Sequence, residues 1–395
     1  MTYVPWYYRR QININYRQVP APLTDWPFYF GGICGYLALR QPDPTPGPGR
    51  VLHPLGYDIW FEDVDATIKY PFERVCWDPL TGACEFWIQL PAVSSTTVTT
   101  LYIAYGSHVV TTDLQNLPAP PWDANYLGVF HFGDGALAPI NYDSSIYASH
   151  LGGAATAAPG LMGLAVLHPF PYPQNAFIFR GGAAHFNGSQ TLTFTDLSVS
   201  GDITVEASFE YDARIGTGVE QFIIQNSDLI NGYDYFIRGE AYPSVNGILT
   251  HLRGKISSTV TEQSSFLATQ DLDVDAPWLT ASTYNATTGD AWRYQGAAWM
   301  GIHPHEAWTT NPAIGGHSGG TIGQDFVGLI DELRVSNVAR SEAWLFACEN
   351  NMSNPGNEIE WGFYPYFVTR FYGVGPEEGP RRTYIDGASA VPTCY

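Results

Sequence analysis

The residues that could do chemistry are scattered thinly along this chain. Charged residues fill only 14% of 395 positions, although acids outnumber bases 38 to 18. Glycoside hydrolysis needs two carboxylates facing one bond, roughly 5–9 Å apart. Ile330-Asp331-Glu332 places two acids side by side, but neighbours on a strand point to opposite faces, so they do not form such a pair. His303-Pro304-His305-Glu306 has the composition of a metal cluster, yet Pro304 argues for a surface loop. Residues 315–320 are Gly-rich but lack the Gly-Lys-Ser/Thr end of a phosphate loop and precede a final strand, so they read as a flexible loop. No Gly-x-Ser-x-Gly elbow supports an α/β-hydrolase.

Tyr233, Tyr235, Trp292, Tyr294 and Trp299 offer flat rings on which a sugar could stack, with core or interface packing as the competing reading for each. The 5 cysteines show no zinc spacing. Cys76 and Cys84 flank a turn-rich stretch, and a hairpin there would set the two sulfurs opposite each other. A cross-strand disulfide is one expectation; a pair of buried thiols is the other, favoured by assembly in the cytoplasm.

Composition narrows the function classes. With a net charge of −20 and lysine only at Lys69 and Lys255, the chain has no basic patch for phosphates, so nucleic-acid binding is not expected. No apolar run is long enough for a membrane helix, so no membrane insertion is expected. Tyr, Phe and Trp number 25, 21 and 12, which points to aromatic packing in the core.

The elements that must position these residues are strands. Alternation at 9–16, 26–30, 57–61, 85–90 and 99–105 predicts one antiparallel sandwich. Strands at 127–132, 184–186, 190–194, 203–209, 221–225, 233–238, 278–284 and 326–335 predict a second. Asn187-Gly188 predicts a tight hairpin. One helix is expected from Ser341 to about Asn351, with Ser341 as its cap. The reading is all-β, with two antiparallel β-sandwich (jelly-roll) domains in tandem. Residues 1–120 form the first, 121–126 a Pro-rich linker, 127–358 the second, and 359–395 a C-terminal extension that docks on another surface.

Residues 326–341, with Phe326, Gly328, Ile330, Asp331, Glu332 and Arg334, resemble the closing strand of LamG domains of the concanavalin A-like superfamily. Residues 184–209 resemble the early hairpin of that family and the strand after it. Val129–Phe132 with Asp143-Ser144-Ser145 resembles its opening strand and turn. The first 120 residues resemble an uncharacterised domain that often precedes LamG, through stretches at 6–10, 23–27, 56–61 and 100–106. The resemblance implies a second domain of concanavalin A-like fold that binds glycans or proteins, often beside calcium. It makes Asp331, and less strongly Asp143, candidate calcium ligands, against structural roles in their own loops. Glucanases of this fold carry Glu-x-Asp-x-x-Glu on one strand, a spacing absent here, so catalysis is not expected.

The first residues lack an apolar signal core. Set against a surface-binding family, that leads to the expectation of a virion surface protein of a tailed phage, made in the host cytoplasm. It would serve as capsid decoration, fibre or tail component. Its partners would be other virion proteins, further copies of itself, and host or environmental glycans. A secreted cell-surface adhesin or lectin is the alternative, and a polysaccharide-degrading enzyme a further one.

Overall fold

A computed structural model describes residues 8–40, 49–115, 121–133, 141–159, 182–211, 216–228, 230–241, 246–257, 259–264, 278–289, 291–296 and 314–353. The strands are β1 (Tyr8–Ile14), β2 (Trp26–Ile33), β3 (Ile59–Glu62), β4 (Phe72–Trp77), β5 (Ala83–Leu90), β6 (Thr99–Tyr105), β7 (Tyr126–Phe130), β8 (Gly152–Ala154), β9 (Thr156–Pro159) and β10 (Gly182–Asn187). They continue as β11 (Thr191–Phe194), β12 (Ile203–Tyr211), β13 (Glu220–Ser227), β14 (Gly232–Ala241), β15 (Asn246–Ile256), β16 (Thr259–Ser264), β17 (Trp278–Tyr284), β18 (Ala291–Gly296), β19 (Gly320–Ile322) and β20 (Val327–Ser336). Helix α1 (Glu342–Ser353) follows. The fold is all-β with tandem antiparallel sandwiches and one short helix, as the alternation predicts.

The first sandwich stacks β1-β6-β3 on β2-β5-β4. Alternate residues of each strand point inward, which brings Ile12, Ile14, Phe28, Phe30, Ile88, Leu101 and Ile103 into one core. Phe61 meets Phe30, Phe72 and Phe86 edge-on at 5.3–5.9 Å between ring centroids, the geometry aromatic quadrupoles favour.

The second sandwich stacks β18-β17-β12-β20-β10-β9 on β16-β15-β14-β13-β19-β11-β8. Strand β20 is its keystone. It runs beside β12 along one edge and is shared along the other by β10 and β7. The core is Phe130, Phe186, Ile203, Val205, Phe209, Ile224, Tyr235, Ile330 and Leu333, among others. The Asn187-Gly188 turn departs from expectation. Gly188 has φ of 84°, as a tight turn requires, yet β10 pairs with β20 while β11 pairs with β19 and β8. The turn carries the chain from one sheet to the other instead of closing a hairpin.

The two sandwiches are not beads on a linker. Trp122 lies in the segment expected to be a spacer, but it is buried and packs with the first core. Helix α1 belongs to the same cluster through Trp344, Leu345, Cys348 and Met352. Ser341 Oγ accepts from the Trp344 amide at 3.2 Å, so the expected cap is in place. On the same face of α1, Asn351 behaves like a short strand. Its Oδ1 accepts from the Tyr29 amide (2.6 Å) and its Nδ2 donates to the Tyr29 carbonyl (3.0 Å). Trp26 Nε1 donates to Cys348 Sγ at 3.2 Å.

Asn351→Leu keeps the volume but strands a buried amide and a buried carbonyl. We expect a loss of about 2–4 kcal/mol. Urea unfolding followed by tryptophan fluorescence measures it, and a midpoint equal to wild type would show that α1 does not hold the first sandwich.

Candidate functional site

A buried group of ionisable side chains lies between the sandwiches. On β5, Phe86 and Ile88 face the first core, so Glu85 and Trp87 face the second sandwich. Glu73 on β4 does the same. Across the gap, Phe130 and Phe132 fill the second core, which leaves His131 pointing back at Glu73. Strand β20 adds Glu332 and Arg334. A bulge makes this possible: Glu206 pairs with Arg334 and Ser208 with Asp331, so β20 has an extra residue there. Glu332 takes a left-handed φ of 47° at that point, and the Asp331 carboxylate accepts from its amide at 2.8 Å.

His131 is held from both sides. Nδ1 is 2.6 Å from Glu332 Oε1 and Nε2 is 3.3 Å from Glu73 Oε2. Glu73 also accepts from Trp122 Nε1 (2.8 Å) and Ser144 Oγ (2.5 Å). The Trp87, Trp122 and His131 rings pack at 5.1–6.2 Å, with Trp87 and His131 stacked and the other pairs tilted. Arg334 lies 5.0 Å from the Trp87 ring and pairs with Glu206 at 2.8 Å. Burial drives the His131 pKa down, but the Glu332 and Glu73 charges outweigh it and hold the imidazolium well above its ordinary range. The side chains of His131, Glu73 and Glu332 are 1–3% exposed, so no substrate reaches them. The group is a joint, with Ser144 bonded to glutamate and not to histidine.

The expected site residues have other fates. Asp143 is fully buried. Its oxygens accept from the amides of Val129, Ser145 and Ser149 and from Ser145 Oγ at 2.8–2.9 Å, so it ties its own turn to β7. Among the described residues no three His, Cys, Asp or Glu side chains converge as metal ligands do. Tyr233 and Tyr235 are 0% exposed, which corrects the sugar-stacking expectation for both. They occupy the inward positions of β14, with Tyr235 Oη donating to Thr280 Oγ1 (2.8 Å). Trp292 and Tyr294 lie on β18 opposite Thr283 and Ala281, but their side chains fall outside the described residues. Trp299, His303, His305, Glu306 and residues 359–395 lie outside them altogether. Cys76 and Cys84 are thiols and not a disulfide. A register shift between Arg74 and Cys76 sets Cys76 against Glu85 and Cys84 against Trp77, so the sulfurs do not face each other.

Two features escaped sequence reasoning. Asp58 is a hub whose carboxylate accepts from the amides of Leu52, His53, Gly106 and Ser107 at 2.9–3.1 Å. The outward positions of β13, β14 and β15 hold a mixed layer. Phe236 lies between Phe222 (5.3 Å) and His251 (5.0 Å), with Arg253 4.4 Å from its ring. Glu220 pairs with Arg253 and Arg238, and Asp234 lies 3.7 Å from both Arg253 and Lys255. Residues two apart on neighbouring strands were the available signal, but strand pairing had to be known first.

No family model and no curated protein matches the chain. Among solved structures there is a distant likeness to the binding domain of botulinum neurotoxin DC in complex with SialylT (TM-score 0.41, 10% identity, 58% of this chain and 52% of that one). Others are the botulinum neurotoxin serotype D binding domain (0.39, 11%, 57% and 51%) and the binding domain of Paraclostridial Mosquitocidal Protein 1 (0.39, 10%, 57% and 52%). The chain thus covers about half of each. At these scores the likeness identifies neither family nor ligand.

Because the folded His131 pKa stands above the ordinary 6.5, the stability it contributes is complete below that value. It is lost as pH rises through the folded pKa. His131→Gln is expected to cost about 3–5 kcal/mol near pH 6, because it leaves two buried carboxylates uncompensated. The gap to wild type should narrow steadily toward pH 10. Urea midpoints at several pH values test this; a gap that is constant or widens with pH contradicts it.

Proposed function

We propose that this protein is a non-catalytic binding and structural module, whose second sandwich is of the LamG, concanavalin A-like type. The observation that carries the reading is how the buried ionisable groups are used. Glu73 and Glu332 hold His131, Glu206 holds Arg334, Asp123 holds Arg340 bidentately at 2.8–2.9 Å, and Asp58 and Asp143 hold loop amides. A carboxylate acting as general acid or base must reach the substrate proton it transfers. These instead fasten one sandwich to the other and fix the loops. A rigid double sandwich suits display of a recognition surface.

Within that reading we place the protein on a virion surface, as capsid decoration, fibre or tail component, with glycans as its external partners. The acidic, lysine-poor composition disfavours nonspecific adhesion to nucleic acid. In the sequence, the aromatic run at 363–372 suits burial against a neighbouring subunit.

Two measurements test the proposal. On a broad glycan array the full chain should retain specific glycans while releasing no reducing sugar from them; release would establish an enzyme. Washed, assembled phage particles should contain the chain. Its absence from them, with retention on cell envelopes, would select the adhesin reading.

A further inference from the structure

The first sandwich has four outer strands, β1, β2, β3 and β4. Three of them have their outer edges engaged within the chain. On β2, Pro27 has no amide hydrogen, and Asn351 takes both backbone groups of Tyr29. Along β3, the Phe61 carbonyl accepts from the Tyr70 amide at 3.0 Å, and the Asp63 amide just past the strand donates to the Ile68 carbonyl at 3.0 Å. On β4, the Arg74 amide donates to Gln115 Oε1 at 2.9 Å. Strand β1 is the fourth.

The ladder shows which backbone groups β1 leaves open. The Phe61 carbonyl turns away from β6, so Trp60 and Glu62 turn toward it and meet Ala104 and Tyr102. The alternate residues of β6 then face the other way, with Leu101, Ile103 and Tyr105 meeting Ile12, Arg10 and Tyr8. That leaves the N–H and C=O groups of Arg9, Gln11 and Asn13 aimed at the outer edge. No other described residue bonds to them.

The side chains of these three residues are engaged on the outer face of their own sheet. Arg9 Nε donates to Glu62 at 2.8 Å and Gln11 Nε2 to Asn13 Oδ1 at 2.7 Å. Thr100 Oγ1 donates to Asn13 at 2.9 Å and Tyr102 Oη to Gln11 at 3.2 Å. Native edges are commonly blunted by a bulge, a proline or a lysine. The register of β1 with β6 is unbroken, and the strand, Tyr-Arg-Arg-Gln-Ile-Asn-Ile, has neither residue. Its one inward charge, Arg10, lies 3.8 Å from the centroid of the Tyr36 ring.

We infer that β1 pairs antiparallel with β1 of a second copy of this chain, about a two-fold axis at Gln11. That axis sets Gln11 opposite Gln11 and each Arg9 opposite Asn13 of the other copy. All are edge-facing, so each of these pairs exchanges two backbone bonds. Arg10 then stands opposite Ile12. An axis at Arg10 would oppose like charges, and one at Ile12 would forfeit a bonded pair. The two small sheets become one continuous sheet, and the contact closes at two copies because each edge is used up by the other. The inference goes beyond the binding role and does not depend on which ligand is bound.

The test uses the full chain. Analytical ultracentrifugation over a concentration series should show a monomer–dimer equilibrium. Gln11→Pro removes an edge-facing amide hydrogen from each copy, and the β6 ladder keeps its bonds because that amide takes no part in it. It should weaken dimerisation at least about tenfold, while Gln11→Thr, which keeps the amide, dimerises as wild type. If circular dichroism shows the proline variant unfolded, hydrogen exchange of the wild type, read residue by residue by NMR, decides the matter. The Arg9, Gln11 and Asn13 amides should exchange more slowly as concentration rises, whereas those of Arg10 and Ile12, turned to β6, exchange alike throughout. A monomer at every concentration, or a folded Gln11→Pro dimer of wild-type affinity, would overturn the inference. Protection of the three edge amides in a monomer would also overturn it, and would assign the edge to another segment of the same chain.

Discussion

Glu73, His131 and Glu332 come from two different sandwiches and are buried together. Two carboxylates out of water are expensive unless a cation lies between them, and His131 is that cation. Neither sandwich can supply the group alone: Glu73 is on β4, Glu332 is on β20, and His131 follows β7. Separating the sandwiches would hydrate the acids, but it would also expose Trp87, Trp122 and Tyr126. The aromatic packing gives the apolar gain and the polar triad fixes the register. The rest of the architecture follows from this seam, including the bulge at Glu332, the inserted Trp122 and the helix laid across β2.

Much of the fold was legible because strand alternation survives in single sequences. The place of the closing strand, the Ser341 cap and the inward row of β12 lie where period two and capping rules put them. His131 was legible in part: with Phe130 and Phe132 committed to a core, alternation turns His131 away from it. What it meets there was not legible, because Glu73 is 58 positions away and on another sandwich. The bulge was not legible either. Asp331 drew attention as the acid of the closing motif, yet a left-handed backbone at Glu332 sends the neighbouring acid into the joint. Tyr233 and Tyr235 stood between two readings because polar aromatics suit both a sugar platform and a core, and the core reading holds. The burial of Tyr235 depends on its hydroxyl finding Thr280 on β17, which a linear reading does not reveal.

Function follows from what the seam leaves over. The buried acids Glu73, Glu332 and Glu206 are paired with His131 and Arg334 inside the structure. A rigid body whose buried charges are paired can present a recognition surface without local unfolding, which links the fold to the proposed binding role.

The central claim is that the two sandwiches open as one cooperative body through the buried seam. Native-state hydrogen exchange by mass spectrometry tests it most directly. The amides of Tyr29 and Trp87 in the first sandwich and of Ser208 and Leu333 in the second should exchange through the same opening, with the same protection and the same dependence on denaturant. Exchange of the Tyr29 and Trp87 amides at low denaturant, while Ser208 and Leu333 stay protected, would show that the sandwiches open separately and would contradict the account.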